Sequence, residues 1–347
     1  MSQHPKRKEF WGKRNYSVLR ITLILLLAFT TLISLMVGRF EVPPFDVLAA
    51  IFSGIIPCQD LSPTVKSVIV DVRLPRVLAV IIVGAALSVA GAAFQGLFRN
   101  PLVSPDILGV SAGAGFGAAL ALLLTENIFI TQLFAFLLGI FAVGLAYLIS
   151  RVYKVSSTLT LVLAGIVVAA LFQALTSLVK YVADPLNKLP AIVFWLMGSF
   201  NHISNSDLLV AGPLLLGGLL ILYLIRWRIN VLSMGDEDAR ALGVDIKQQK
   251  AIIIVSATVI SAAAVSICGI VGWIGLVIPH VGRLLVGPDH KLLIPIVALV
   301  GASYLLIVDT VARTITVTEI PIGIITALVG APVFAYLLRR TQTGWKQ

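Results

Sequence analysis

Long apolar runs joined by short polar links make up most of this chain. Ten runs stand out, at 18–38, 75–98, 107–124, 129–150, 157–180, 206–225, 250–270, 274–286, 292–312 and 322–338. A helix of roughly 20 apolar residues crosses a hydrocarbon layer of about 30 Å, so nearly all of these runs are long enough to span a membrane. The eighth is too short and carries Pro279, so it is expected to be a half-helix shielded from lipid by protein. Ten-residue alternating strands of the outer-membrane barrel type are absent. The pattern predicts an all-α polytopic membrane protein with ten transmembrane helices. The layout is a basic tail (1–17), one transmembrane domain (18–340) with a polar loop at about 228–249, and a short tail (341–347).

Small residues recur at helical spacing inside the runs. Gly84, Ser88 and Ala92 form one stripe, and Gly109, Gly113 and Gly117 another. Such stripes let helix backbones approach closely in lipid, where packing rather than the hydrophobic effect holds helices together. A loose internal echo links 85–105 with 261–280: each is an Ala/Ser/Gly-rich run leading into a Pro-interrupted segment, as in an inverted repeat. Chance similarity between Ala/Gly-rich runs would look the same.

Composition supports the membrane reading. Of the 347 residues, 59% are hydrophobic and 12% charged, against about a quarter charged in soluble domains. The net charge of +10 carries no basic stripe with interleaved aromatics, which argues against nucleic acid as a partner. With the N-terminus inside, 19 of the 26 Lys and Arg residues fall on the inner side, so both termini are expected in the cytoplasm. Lys6, Arg7, Lys8, Lys13 and Arg14 precede a first run too long for a signal-peptide core, which reads as a retained span. The two cysteines, Cys58 and Cys268, imply no disulfide framework.

Catalytic motifs are missing. The chain has no phosphate-cradling Gly-x4-Gly-Lys-Ser/Thr and no His-Glu-x-x-His, and its four histidines are scattered. No pair of catalytic groups sits in one place, which argues against a membrane-embedded enzyme. Asp309 is the one clear intramembrane charge. It fits a coupling-ion ligand or proton relay in an ion-coupled secondary transporter, or a hydrogen-bonding brace.

One polar segment is unlike the rest: Met234-Gly235-Asp236-Glu237-Asp238-Ala239-Arg240-Ala241-Leu242-Gly243. It reads as an acidic helix of about nine residues bounded by glycines. Carboxylates suit the positive end of the helix dipole, and Gly243 suits a left-handed cap. A capped, charged helix between spans is either an ordinary solvated loop or a contact for a soluble partner.

Five segments together resemble the permease subunit of the type II ABC importers for iron–siderophore, haem and vitamin B12. They are Asp71-Val72-Arg73-Leu74-Pro75-Arg76; Asn100-Pro101 through Ser104-Pro105-Asp106 to Gly113-Ala114; Gly235-Asp236 through Leu242-Gly243; Gly272-Trp273-Ile274-Gly275 through Pro279-His280 with Arg283; and Glu319-Ile320-Pro321-Ile322-Gly323 with Thr326, Gly330 and Pro332. They fall in the family's order over roughly 20–340. Val103-Ser104 and Trp273 depart from the commonest pattern.

The resemblance implies a vitamin B12 importer permease-like fold in a bacterial or archaeal cytoplasmic membrane. The subunit would pair with a second copy of itself, two cytoplasmic ABC ATPase subunits and an extracytoplasmic binding protein. It would bind no cofactor or metal, ATP and Mg residing on the ATPase partners. It makes 234–243 the ATPase-coupling element, within coupling helices at about 232–246. It makes Arg73, Arg76 and Arg313 docking points for acidic side chains of the binding protein. The alternative is that Asp71 neutralises one of them locally, or that they anchor at lipid headgroups. The fifth and tenth spans would line the translocation path, with Gly165, Gln173, Ser177, Thr326 and Gly330 as candidates. Iron–siderophore is the expected cargo, with haem, vitamin B12 and a molybdate-type oxyanion as alternatives.

Overall fold

Each of the ten apolar runs is a helix. The structure is a computed structural model that describes residues 13–38, 40–52, 61–152 and 158–341. Most of the 1–17 tail, Cys58 and residues 342–347 lie outside the described residues. In chain order the helices are α1 (Lys13–Met36), α2 (Pro44–Phe52), α3 (Pro63–Ser67), α4 (Leu74–Phe98), α5 (Val110–Leu124), α6 (Ile128–Val152), α7 (Thr158–Val182), α8 (Lys188–Met197), α9 (Asn205–Leu224), α10 (Arg226–Met234), α11 (Asp236–Ala241), α12 (Ile246–Cys268), α13 (Ile274–Val286), α14 (His290–Thr314) and α15 (Ile322–Thr341). The described residues contain no strand. Seven helices are long and apolar enough to cross a membrane, and four apolar helices are shorter.

Two run boundaries differ from the sequence reading. The second run extends back through a π-helical turn, Val68–Arg73, and α3, giving a continuous helical stretch of 36 residues, Pro63–Phe98. The third begins later, because Pro105–Leu108 forms a 3-10 turn and Gly109 adopts φ +90 before α5 starts. Gly109 is therefore a hinge before the helix rather than a member of the Gly113/Gly117 stripe.

The core is built around α4, where 19 of 25 residues are buried. It touches α14, α12, α13, α9 and α10. The small-residue stripes make these approaches possible. A Cβ on Gly84 would lie 2.5 Å from the Gly301 carbonyl oxygen of α14. One on Gly91 would overlap the Gly275 carbonyl oxygen, and ones on Gly113 and Gly117 would overlap the Leu138 and Phe134 carbonyl oxygens of α6. Backbones this close gain dispersion contacts that larger side chains would forbid.

The short helix α13 is the half-helix expected at 274–286. Most of one face is buried, and Trp273 caps its start in the left-handed region at φ 71. Gln95 of α4 pins that start by donating to the carbonyls of Gly275 (3.5 Å) and Leu276 (3.4 Å). The Gln95 carbonyl oxygen accepts from the Arg283 guanidinium, giving this part-buried cation on α13 a neutral partner.

Candidate functional site

The acidic segment folds into a short capped finger. Gly235, at φ 141, separates α10 from α11. The finger helix therefore has six residues, Asp236–Ala241, fewer than the nine expected, and Met234 belongs to α10. Its C-terminus is closed by two backbone bonds, Val244 N–H to Ala239 O (3.1 Å) and Gly243 N–H to Arg240 O (2.9 Å), with Gly243 at φ +73. This is the Schellman closure, which satisfies the last carbonyls and needs a residue comfortable at positive φ. Asp236, Glu237 and Asp238 occupy the first turn. Ala239 is fully buried, whereas Met234 (63%) and Leu242 (61%) are largely exposed. Asp236 pairs with Lys250 of α12 at 2.8 Å, tying the finger to the next long helix.

The base of the finger is anchored by α10, which the sequence reading did not anticipate. Ile229 and Leu232 are buried, and α10 packs on α4 and α14. Asn230 donates to Asp289 at 2.5 Å, and its amide oxygen accepts the His290 N–H at 2.7 Å. The result is a rigid acidic projection with exposed apolar residues at both ends.

At the other end of α4, the three candidate arginines are held inside the chain. Arg76 forms a bidentate pair with Asp309 (Nη2–Oδ1 2.7 Å, Nε–Oδ2 3.2 Å) and a second pair with Glu319 (Nη2–Oε2 2.8 Å, Nη1–Oε1 3.1 Å). It also reaches Asn201 at 3.3 Å. Arg313 approaches Asp309 at 3.7 Å and donates to the Val37 carbonyl at 2.7 Å and to Ser34. Arg73 donates to the carbonyls of Leu35 (2.5 Å), Met36 (3.0 Å) and Phe40. Arg73 and Arg313 together satisfy the last carbonyls of α1, where the helix dipole favours a cation. Asp71 accepts from Ser67 instead of neutralising an arginine. Arg76 and Arg313 face the two carboxylates, Asp309 and Glu319, while Arg73 is held by the α1 carbonyls alone.

The same geometry corrects the ion-coupled alternative. Asp309 is fully buried, and the Arg76 and Arg313 guanidinium groups cover its oxygens. It braces α4 against α14, with both oxygens turned to guanidinium groups and neither exposed.

The path candidates separate into two groups. Gly165 packs against the 3-10 turn, since a Cβ there would overlap the Ile107 carbonyl oxygen. Thr326 is fully buried and donates to the Gly323 carbonyl at 3.2 Å. Gly330 lies under Trp273, with its built Cβ 2.6 Å from the Trp273 Cβ. Gln173 and Ser177, by contrast, are exposed on α7. They share a broad apolar face with Val167 (61%) and Leu178 (58%).

A many-helix membrane chain with a capped acidic finger at one end and a braced arginine cluster at the other has the build of a transport subunit. Residues 26–340 match the FecCD transport family, and the chain belongs to it. It is 40% identical over 331 residues to the molybdate import system permease protein MolB of Haemophilus influenzae, covering 95% of this chain and 98% of that one. It is 44% identical over 285 residues to a protein of Helicobacter pylori named as a probable iron chelatin transport system permease, covering 82% and 86%. A solved structure described as a metal-chelate type ABC transporter in an inward-facing conformation superposes with a TM-score of 0.84 at 40% identity, covering 94% of this chain and all of that one. The chain is thus an ABC transporter permease, a transport component without its own ATPase site.

Proposed function

We propose that this chain is the membrane half of an ATP-driven importer for a metal-bearing cargo, with an iron–siderophore chelate as the first candidate. The capped finger carries this reading: its exposed acids and apolar ends, set on a base bolted to α4 and α14, suit a cleft in a soluble motor. Two cytoplasmic ATPase subunits, holding ATP and Mg, would grip residues 234–243 and convert nucleotide-driven closure into rocking of the helices. This requires the finger and both termini to face the cytoplasm, and residues 18–340 to act as one domain in the cytoplasmic membrane.

A second copy of the chain would cover the apolar face of α7, placing Gln173 and Ser177 along the path between the two copies. Gly165, Thr326 and Gly330 would shape that path indirectly, by setting how closely α7 and α15 approach their neighbours. On the opposite face, acidic side chains of a binding protein would dock at Arg73, Arg76 and Arg313. Since Glu319 and Asp309 already hold Arg76, docking there is an exchange of carboxylates.

The high mutual coverage with the molybdate permease favours an oxyanion as the second cargo reading. Cells expressing the chain with candidate ATPase and binding-protein subunits should be assayed for uptake of ferric siderophores, haem, vitamin B12 and molybdate. In vesicles, the purified complex should hydrolyse ATP faster when loaded binding protein is added, and Gly243→Pro should abolish that stimulation. Stimulation unchanged in Gly243→Pro, or uphill uptake by this chain alone, would overturn the proposal.

A further inference from the structure

Between the last turns of α6 and the first turns of α12 lies an open groove of about 1050 Å³. Its inner walls are apolar, with Ile140 and Val143 on α6 facing Ile254 and Val259 on α12. Its mouth is polar and cationic: Arg151, Arg240, Lys247 and Lys250 stand around it against only Asp236 and Asp245. Lys250 is committed to Asp236 at 2.8 Å. Among the described residues no carboxylate forms an ion pair with Arg151, Arg240 or Lys247. Arg151 is held at the mouth by its stack over Tyr147, 4.7 Å from the ring centroid.

We infer that this groove binds one anionic phospholipid, with its phosphate among Arg151, Arg240 and Lys247 and an acyl chain between α6 and α12. Depth supports a lipid over a soluble anion. Counted from the cationic mouth inward, the groove wall runs eleven residues from Arg151 to Ile140 and eleven from Lys247 to Thr258, apolar on α12 from Ala251 to Val255. At 1.5 Å per residue each wall is about 16 Å long, close to half of a ~30 Å hydrocarbon layer. A groove that is apolar for one leaflet and cationic at the interface matches a lipid of negative headgroup in both dimensions. There is room for the chain: a Cβ built on Gly144, in the groove wall, meets no atom within 4 Å. Because Asp236 and Arg240 belong to the finger, the bound headgroup would touch the element that receives force from the motor. The inference does not depend on which cargo is carried.

The test is native mass spectrometry of the full-length chain in detergent, titrated with phosphatidylglycerol or phosphatidylcholine. Wild type should retain one phosphatidylglycerol per chain in preference to phosphatidylcholine. At about 1 kcal/mol per cation near an anionic headgroup, Arg151→Gln with Lys247→Gln should weaken retention by roughly thirtyfold. Gly144→Phe should displace the lipid sterically without altering charge. Arg228→Gln with Lys291→Gln, cations outside the groove, should retain it. Equal retention of both lipids, an unaffected double variant, or equal competition by soluble glycerol phosphate would overturn the inference. So would exclusion of the lipid by a second copy of the chain seated in the groove.

Discussion

Removing the Asp309 carboxylate should unbalance the charge brace that joins α4 to α14. In Asp309→Ala, Arg76 keeps Glu319, but Arg313 keeps only its bonds to the end of α1. Its Nε, buried and already without a hydrogen-bond partner, loses its nearest counter-charge at 3.7 Å. Breaking a buried ion pair by deleting one partner costs about 3–5 kcal/mol, because the surviving charge stays out of water. For a chain of this size about 2 °C of melting temperature accompanies each kcal/mol, so a fall of roughly 6–10 °C is expected. Asp309→Asn, which keeps shape and one acceptor, should fall by less. A double-mutant cycle of Asp309→Asn with Arg76→Met should show a coupling of about 2–3 kcal/mol. Thermal unfolding of the purified chain, read by fluorescence-detected size exclusion, measures these shifts. Uptake in surviving variants should still follow ATP and ignore a protonophore. A melting temperature unchanged within about 1 °C in Asp309→Ala, together with abolished uptake, would show that the carboxylate serves transport chemistry and not bracing.

Three further outcomes follow from the packing. Gly91→Ala places a methyl group on the Gly275 carbonyl oxygen and should cost about 1–3 kcal/mol. Gly217→Ala, which meets nothing within 4 Å, should be neutral or stabilising by up to about 1 kcal/mol; equal melting temperatures would contradict the close approach. Gln95→Leu removes the acceptor for Arg283 and the donor to the start of α13, and should lower stability by about 2–3 kcal/mol. Lys250→Met breaks a half-exposed pair worth at most about 1 kcal/mol. Its melting temperature should barely move while ATPase stimulation falls, and the reverse pattern would make the pair a folding element only.

How much could be read in advance depended on whether the signal was local. Apolar runs, glycine spacing and the capped acidic segment are local: each of the ten runs holds a helix, the second and third with shifted starts, and the α4 stripe and the Gly243 closure appear where the pattern put them. Gly235 shortened the finger because a residue at φ 141 ends a helix on both sides. Helices α8 and α10 were missed: at ten and nine residues they are too short for a span. The partners of Arg76 were invisible for another reason. Asp309 and Glu319 lie 233 and 243 residues away in sequence, and Arg73 answers to carbonyls at the end of α1. Residues three apart, as Arg73 and Arg76 are, share a face of a regular α-helix. The π-helical turn ending at Arg73 coincides with their guanidinium groups going to different neighbours.

Helix α4 is a single stiff strut whose top carries Arg76 in its carboxylate clasp and whose foot ends at Arg99, with Arg99 Nη1 3.6 Å from the Cβ position of Gly235 at the root of the finger. Its 25 residues measure about 37 Å. A lean of about 10° around its midpoint swings each extremity by roughly 3 Å, in opposite directions. Such a lean would displace the carboxylate clasp and the root of the finger together.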